Sequence, residues 1–90
     1  MVLAKVIGNV VATRKDPTLE GTKLMIVRRV DANGAYIDSE QVAVDYVGCG
    51  IGEFVLCATG SSVRVDDDKR GKTIDMAVIG IIDSVDTSGQ

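Results

Sequence analysis

The chain of 90 residues has a net charge of −3 and only three aromatic residues, so it lacks the basic patch and the stacking platforms typical of nucleic-acid-binding proteins. Charged or turn residues interrupt every apolar run before it reaches the roughly 18 residues of a membrane helix. Hydrophobic residues make up 46% of the chain, more aliphatic surface than a core this small can hide. We therefore expect a single cytoplasmic domain, residues 1–90, that buries part of its surface against other chains.

The first half of the chain has the alternation of β-strands. In residues 2–13 the even positions are all small or apolar, which predicts a long strand with one face inward. The segment DPTLEG breaks this pattern and predicts a loop. A second strand is predicted over residues 23–31, and the pair Asn33-Gly34 is the strongest hairpin signal in the sequence. This hairpin should fold residues 35–37 back onto the second strand.

The second half continues the strand pattern. Val42 and Val44 share one face of the next strand, and Ala43 and Asp45 share the other. A further strand is predicted over residues 53–59, where the sequence is rich in apolar residues. Ser61 or Ser62 can cap a short helix. The charged run DDDKRGK predicts a solvated turn, and the last strand is predicted over residues 74–85.

The run DYVGCGIGEFVL contains a glycine pattern that superficially resembles a phosphate-binding loop. Gly48, Gly50 and Gly52 alternate, but the dinucleotide fingerprint needs a further glycine where Glu53 stands. A P-loop would end in Gly-Lys-Ser/Thr, whereas the Glu53 carboxylate would repel phosphate. The glycine run therefore indicates a role in packing, and no cofactor is expected.

The cysteines and acidic residues give little support to an enzyme or a metal site. Cys49 and Cys57 are the only cysteines and the chain has no histidine, so one chain can supply neither a tetrahedral zinc site nor a Cys–His nucleophile. We expect both thiols to be small buried hydrophobes in a reducing compartment. An acid/base pair of Asp45 and Glu53 would lack a substrate pocket in so short a chain. The protein is predicted not to be an enzyme.

The strand pattern as a whole favours an all-β fold. Five strands with glycines at the bends predict a small barrel with one short helix. An OB-like five-stranded barrel is the first choice and an SH3-like barrel is the second.

Three co-linear stretches resemble one known family. VIGNVVATRKDPTLEGTKLMIVRRVD, VAVDYVGCGIGEFVLCATGSSVR and KTIDMAVIGIIDSVD are similar to the EutN/CcmL family of bacterial microcompartment shell proteins. The resemblance implies a barrel that assembles as a homopentamer and closes the vertices of a polyhedral shell, next to hexameric shell proteins. Cys49 stands where the family commonly has a small residue such as alanine, and the acidic segment DDDKRG is a second departure. The alternative function is an OB-type module for single-stranded nucleic acid, which the acidic balance disfavours.

In such a ring each chain presents one surface to one neighbour and a different surface to the other. We hypothesise that Gly48, Gly50 and Gly52 form a tight turn at or near the subunit interface, because glycine lets two backbones approach closely. Asp45 either orients this turn through backbone amides or simply faces water.

The remaining candidate residues are polar. Glu53 and Arg64 either form an ion pair that pins the turn or are independent surface charges. Ser61 and Ser62 either line an opening on the ring axis or cap a short helix.

Overall fold

Five strands make up the regular structure of the residues that the structure describes. The structure is a computed structural model that describes residues 1–12, 21–60 and 75–89. The all-β prediction is confirmed, although the first strand ends earlier than residue 13 and the last ends earlier than residue 85. The strands are β1 (Val2–Val10), β2 (Lys23–Val30), β3 (Tyr36–Asp45), β4 (Phe54–Thr59) and β5 (Met76–Ile81).

The strands close into a barrel in the order β1-β2-β3-β5-β4, and β4 pairs with β1 to complete the circle. Neighbouring strands are antiparallel except for β3 and β5, which pair in parallel at Val44 and Asp45. This closed order is the OB-like arrangement, so the predicted five-stranded barrel is confirmed. The short helix expected after Ser61 or Ser62 falls outside the described residues.

The predicted hairpin between β2 and β3 is present. Its turn is closed by the Gly34 amide, which donates to the Asp31 carbonyl at 3.0 Å, while the Asp31 amide donates to the Ala35 carbonyl at 2.9 Å. The Asp31 carboxylate also accepts from the amides of Asn33 and Ala35. The returning strand is one continuous element of 10 residues, longer than the short segment 35–37 that the sequence pattern predicts.

Strand β3 is bulged where it leaves the turn. Tyr36 pairs with Val30 and Glu40 pairs with Arg28, so residues 37–39 of β3 lie opposite a single residue of β2. The Arg28 guanidinium holds this bulge, because its Nε donates to the Asp38 carbonyl at 2.6 Å. A bulge of this kind bends the strand away from the regular ladder.

The core has two parts because several strands are buried on both faces. Neighbouring residues such as Ala43 and Val44 point to opposite faces of a strand, yet both are buried. The first cluster comprises Ala4, Val6, Met25, Val27, Ala43, Cys49, Val55, Cys57, Met76 and Val78, with Val2 packed against it. The second comprises Leu24, Val44, Ala58 and Ala77, with Val10 packed against it.

The prediction that the even positions of β1 face inward is confirmed for the first half of the strand. Val2, Ala4 and Val6 contribute to the first cluster as alternation predicts. The ladder to β2 then slips between Val6 and Gly8, so the alternation is broken by a bulge. None of the described residues belongs to a helix with the length and apolar character that a membrane span requires.

Candidate functional site

Asp45, the last residue of β3, holds the first half of the glycine turn. Its Oδ1 accepts hydrogen bonds from the amides of Val47 at 3.0 Å and Gly48 at 2.9 Å. Its Oδ2 accepts from the amide of Cys49 at 3.0 Å. Of the two local roles considered for Asp45, the structure shows the orientation of the turn through backbone amides. Side-chain oxygens of aspartate commonly bind the amides that follow them, since the side chain is short enough to reach.

The hydrogen bonds also set the charge of this carboxylate. Partial burial is the largest single influence and would raise the pKa of Asp45, but the amides of Val47, Cys49 and Gly48 and the Cys49 thiol together lower it. Asp45 is therefore ionised at neutral pH. An ionised acceptor binds amides more strongly than a neutral one, so the charge tightens the turn.

Glu53 performs a similar role in the second half of the turn. Its Oε1 accepts a hydrogen bond from the Gly50 amide, and its own amide donates to the Gly50 carbonyl at 3.2 Å. The turn is also joined to β1, because the Gly52 amide donates to the Val6 carbonyl at 2.7 Å and the Val6 amide donates to the Glu53 carbonyl at 2.9 Å. Two carboxylates and one strand thus determine the path of the backbone.

The three glycines have different physical roles. Gly48 and Gly52 have φ angles of 78° and 93°, in the left-handed region that favours glycine. A Cβ at either position would meet nothing within 4 Å, so the backbone angle is what requires glycine there. Gly50 has no positive φ, and a Cβ would lie 3.3 Å from the Glu53 Oε1. The close approach of a neighbouring backbone stays a prediction.

The turn carries an exposed apolar surface that the sequence analysis did not single out. Ile51 at its tip is 64% exposed and Val47 is 40% exposed. Apolar side chains held out by a well-ordered turn are typical of a contact surface. The signal was present in the sequence, since Ile51 is a large apolar residue between two glycines of a turn.

The two cysteines lie in the first core cluster, as predicted. Burial raises the pKa of Cys49 to about 11, and the nearby Asp45 charge adds to the effect. Burial, followed by the influence of Cys49, also raises the pKa of Cys57 to about 11. Both thiols are therefore protonated at neutral pH and unsuited to nucleophilic chemistry.

The described ranges contain no cluster of three or more His, Cys, Asp or Glu residues able to hold a metal ion. Asp45 and Glu53 both bind backbone amides of the turn, which is a structural use of a carboxylate. Ser61, Ser62 and Arg64 fall outside the described residues, so the Glu53–Arg64 pair and the roles of the two serines stay predictions.

Comparison with known proteins gives a consistent result. The family model described as ethanolamine utilisation protein EutN/carboxysome matches residues 1–83. The chain is 48% identical over 87 residues to the bacterial microcompartment shell vertex protein GrpN of Rhodospirillum rubrum, covering 97% of this chain and 98% of the relative. It is 48% identical over 89 residues to the shell vertex protein PduN of Salmonella typhimurium, covering 94% and 98% of the two chains.

A solved structure extends the likeness from sequence to fold. The structure of the GrpN pentameric microcompartment shell protein from Rhodospirillum rubrum superposes with a TM-score of 0.86 at 47% identity. The alignment covers 97% of this chain and 99% of that one.

Proposed function

The chain belongs to the EutN/CcmL family, and from this premise we propose that it is a structural vertex protein of a bacterial microcompartment shell. Five copies form a ring that occupies a corner of the polyhedral shell. A flat layer of six-fold tiles cannot close on itself, so five-fold units at the corners supply the curvature. The partners are copies of the same chain and the surrounding hexameric shell proteins, and the location is the shell within the cytoplasm.

One observation carries this proposal. The relatives of 48% identity that align along nearly their whole length are shell vertex proteins, and one solved relative is a pentameric shell protein. The alignments cover 98% of both curated relatives. We also propose that residues 1–90 form a single barrel domain.

The surface of the barrel supports assembly. Among the exposed apolar residues, Ile37, Val42, Ile79, Ile81 and Val85 each expose two-fifths or more of their surface. Where such exposed side chains adjoin one another, they form the kind of apolar patch that marks a protein–protein contact. Contacts between subunits of a ring would remove part of this surface from water.

The carboxylates of the turn and the two buried thiols support a structural role over a catalytic one. Asp45 and Glu53 bind amides of their own turn, and the two thiols have raised pKa values. The nucleic-acid alternative has weaker support, because the ring of Tyr36 is already stacked by Arg28 at 4.3 Å and that of Phe54 lies 5.6 Å from the Lys5 ammonium. We propose a protein with neither an enzymatic activity nor a cofactor.

Native mass spectrometry of the purified chain is the direct experiment. We expect an assembly of five times the subunit mass of 9.5 kDa, stable on dilution into the micromolar range. Shells reconstituted from hexameric tiles should close at their corners only when this chain is added. A chain that stays monomeric at high concentration, or shells that close without it, would contradict the proposal.

A further inference from the structure

An apolar hollow lies between the turn that joins β2 to β3 and the segment that follows β5. We call it the hairpin hollow, and its volume is about 280 Å³, near the lower end of the range for small-ligand sites. The described lining residues include none from the glycine turn, residues 46–52, so the hollow is separate from the candidate site described above. Its apolar lining is Leu3, Val30, Phe54, Ile82 and Val85.

Both walls of the hairpin hollow are held by backbone hydrogen bonds. One wall is the hairpin turn, residues 31–34, where the Gly34 amide donates to the Asp31 carbonyl. The other wall is residues 82–85, and its start is fixed because the Ile82 amide donates to the Phe54 carbonyl at 2.8 Å. A site with walls fixed in advance costs little conformational entropy when a ligand enters.

An aromatic ring contributes to the lining of the hollow. Phe54 is 39% exposed, and a Cβ added at Gly34 would lie 3.7 Å from its Cζ atom, so the hairpin turn lies close beside the ring. Aromatic rings attract cations as well as apolar groups. The Lys5 ammonium already lies 5.6 Å from the centroid of this ring, although Lys5 is not one of the lining residues.

The charged side chains that line the hollow are acidic. Among the described lining residues, Asp31 and Asp83 are carboxylates and none is a lysine or arginine. Asp31 binds the amides of Asn33 and Ala35 through one oxygen, Oδ1, so its Oδ2 can accept from a ligand. Asp83 is exposed in the opposite wall. The hollow therefore combines an apolar surface with carboxylates from both walls.

This combination selects the charge of a ligand. The two carboxylates attract a cation and repel an anion, whereas a neutral molecule gains only from the apolar contact. Asn33 and Ser84 also line the hollow, and their side-chain oxygens can accept hydrogen bonds. A primary ammonium group has three donors, as in lysine, and can use these oxygens together with a carboxylate.

We infer that the hairpin hollow binds a small primary organic ammonium ion. The apolar part of the ligand packs against Phe54 and the aliphatic lining, and the ammonium group binds the carboxylates of Asp31 and Asp83. An alkylamine is charged at neutral pH, because its pKa is similar to the value of about 10.4 for lysine. The inference goes beyond the proposed function, since it gives the chain a ligand and does not depend on the number of subunits in a ring.

Saturation-transfer NMR with the assembled wild-type protein tests the charge preference. The probes are 2-phenylethylammonium, 2-phenylethanol and phenylacetate, which have similar sizes and differ in charge. We expect a Kd of about 1 mM or lower for the ammonium probe, and binding at least about fivefold weaker for the other two. Raising the salt to about 0.5 M should weaken binding of the ammonium probe, because salt screens exposed charges, and should leave the alcohol unchanged.

Two substitutions locate the site. Asp83→Asn removes one carboxylate outside any strand, and Asp31→Asn keeps an oxygen that can accept from the hairpin amides. Each should weaken binding of the ammonium probe at least about threefold. The matched control is Asp75→Asn, which removes the same charge from an exposed residue outside the hollow and should leave the Kd unchanged. Circular dichroism and native mass spectrometry check that each variant keeps the fold and the assembly of the wild type.

The wild-type comparison needs no variant, so the inference can fail even if a substitution disturbs folding. Equal binding of the three probes, no binding of the ammonium probe, or equal weakening in Asp83→Asn and Asp75→Asn would each overturn it. Native mass spectrometry tests the proposed function separately. A wild-type chain that forms no ring and still prefers the ammonium probe would overturn the proposed function alone, whereas a ring that shows no preference would overturn only the ligand site.

Discussion

The carboxylate of Asp45 accepts a hydrogen bond from the backbone amide of Cys49 at 3.0 Å, four residues further along the chain. Through this contact, and through the amides of Val47 and Gly48, a strand end determines the direction of the turn that follows. The Cys49 side chain is then buried in the core, while Ile51 projects into solvent. The relationship explains how a flexible glycine sequence acquires one conformation.

Removing this carboxylate should destabilise the subunit. We expect Asp45→Ala to lower the free energy of unfolding by about 2–3 kcal/mol, because three amides lose a charged acceptor. Asp75→Ala, at an exposed carboxylate before β5, is the control and should cost less than about 0.5 kcal/mol. Urea denaturation at one fixed subunit concentration measures both, since assembly contributes to the apparent stability. Equal losses from the two variants would show that the amide contacts contribute little.

The same carboxylate makes stability dependent on pH. Its pKa is lowered in the folded state, so the unfolded chain binds more protons than the folded one as pH falls below about 4. The stabilisation by Asp45 is therefore fully present above that range and is lost on acidification. Urea midpoints measured between about pH 6 and about pH 3 should fall less steeply in Asp45→Asn than in the wild type. Parallel curves for the two proteins would contradict this prediction.

Substitution by alanine should destabilise the subunit to different extents at the two types of glycine in the turn. Gly52→Ala places a side chain at a φ of 93° and should cost about 1–2 kcal/mol. Gly50→Ala has no such angle to adopt and only crowds the Glu53 carboxylate, so we expect a loss below about 1 kcal/mol. Thermal or urea unfolding of the two variants side by side gives the comparison. A larger loss at Gly50 than at Gly52 would point to a packing requirement instead, such as a neighbouring subunit.

The buried thiols should be unreactive in the native protein. With pKa values of about 11, Cys49 and Cys57 have a thiolate fraction at pH 8 roughly two orders of magnitude below that of an ordinary cysteine. We expect negligible labelling by Ellman's reagent until the chain unfolds, and then labelling of both thiols. Rapid labelling of either thiol under native conditions would contradict the burial that the structure shows.

The predicted Glu53–Arg64 pair is open to a double-mutant cycle. Glu53 already accepts a hydrogen bond from the Gly50 amide, so Glu53→Ala should destabilise the turn by itself. If Arg64 also binds this carboxylate, Arg64→Ala should cost less in the Glu53→Ala background than in the wild type, by at least about 0.5 kcal/mol. Additive losses in the free energy of unfolding would show that the two charges are independent.

The sequence predicted the features that depend on a few neighbouring residues. Strand alternation, the hairpin at Asn33-Gly34 and the turn at Gly48–Gly52 all follow from local backbone preferences, which a short segment carries with it. The family resemblance also depends on short stretches in order, and the comparisons confirm it. The burial of Cys49 and Cys57 follows from the usual preference of free cysteine.

The tertiary structure decided everything that depends on residues far apart in the chain. The alternation alone could not show that Ala43 and Val44 are both buried, because that requires material on both faces of β3. The length of β3 and its bulge depend on Arg28 of the preceding strand. Strand order and barrel closure likewise arise only when distant strands pair, since side-chain periodicity identifies a strand but not its neighbours.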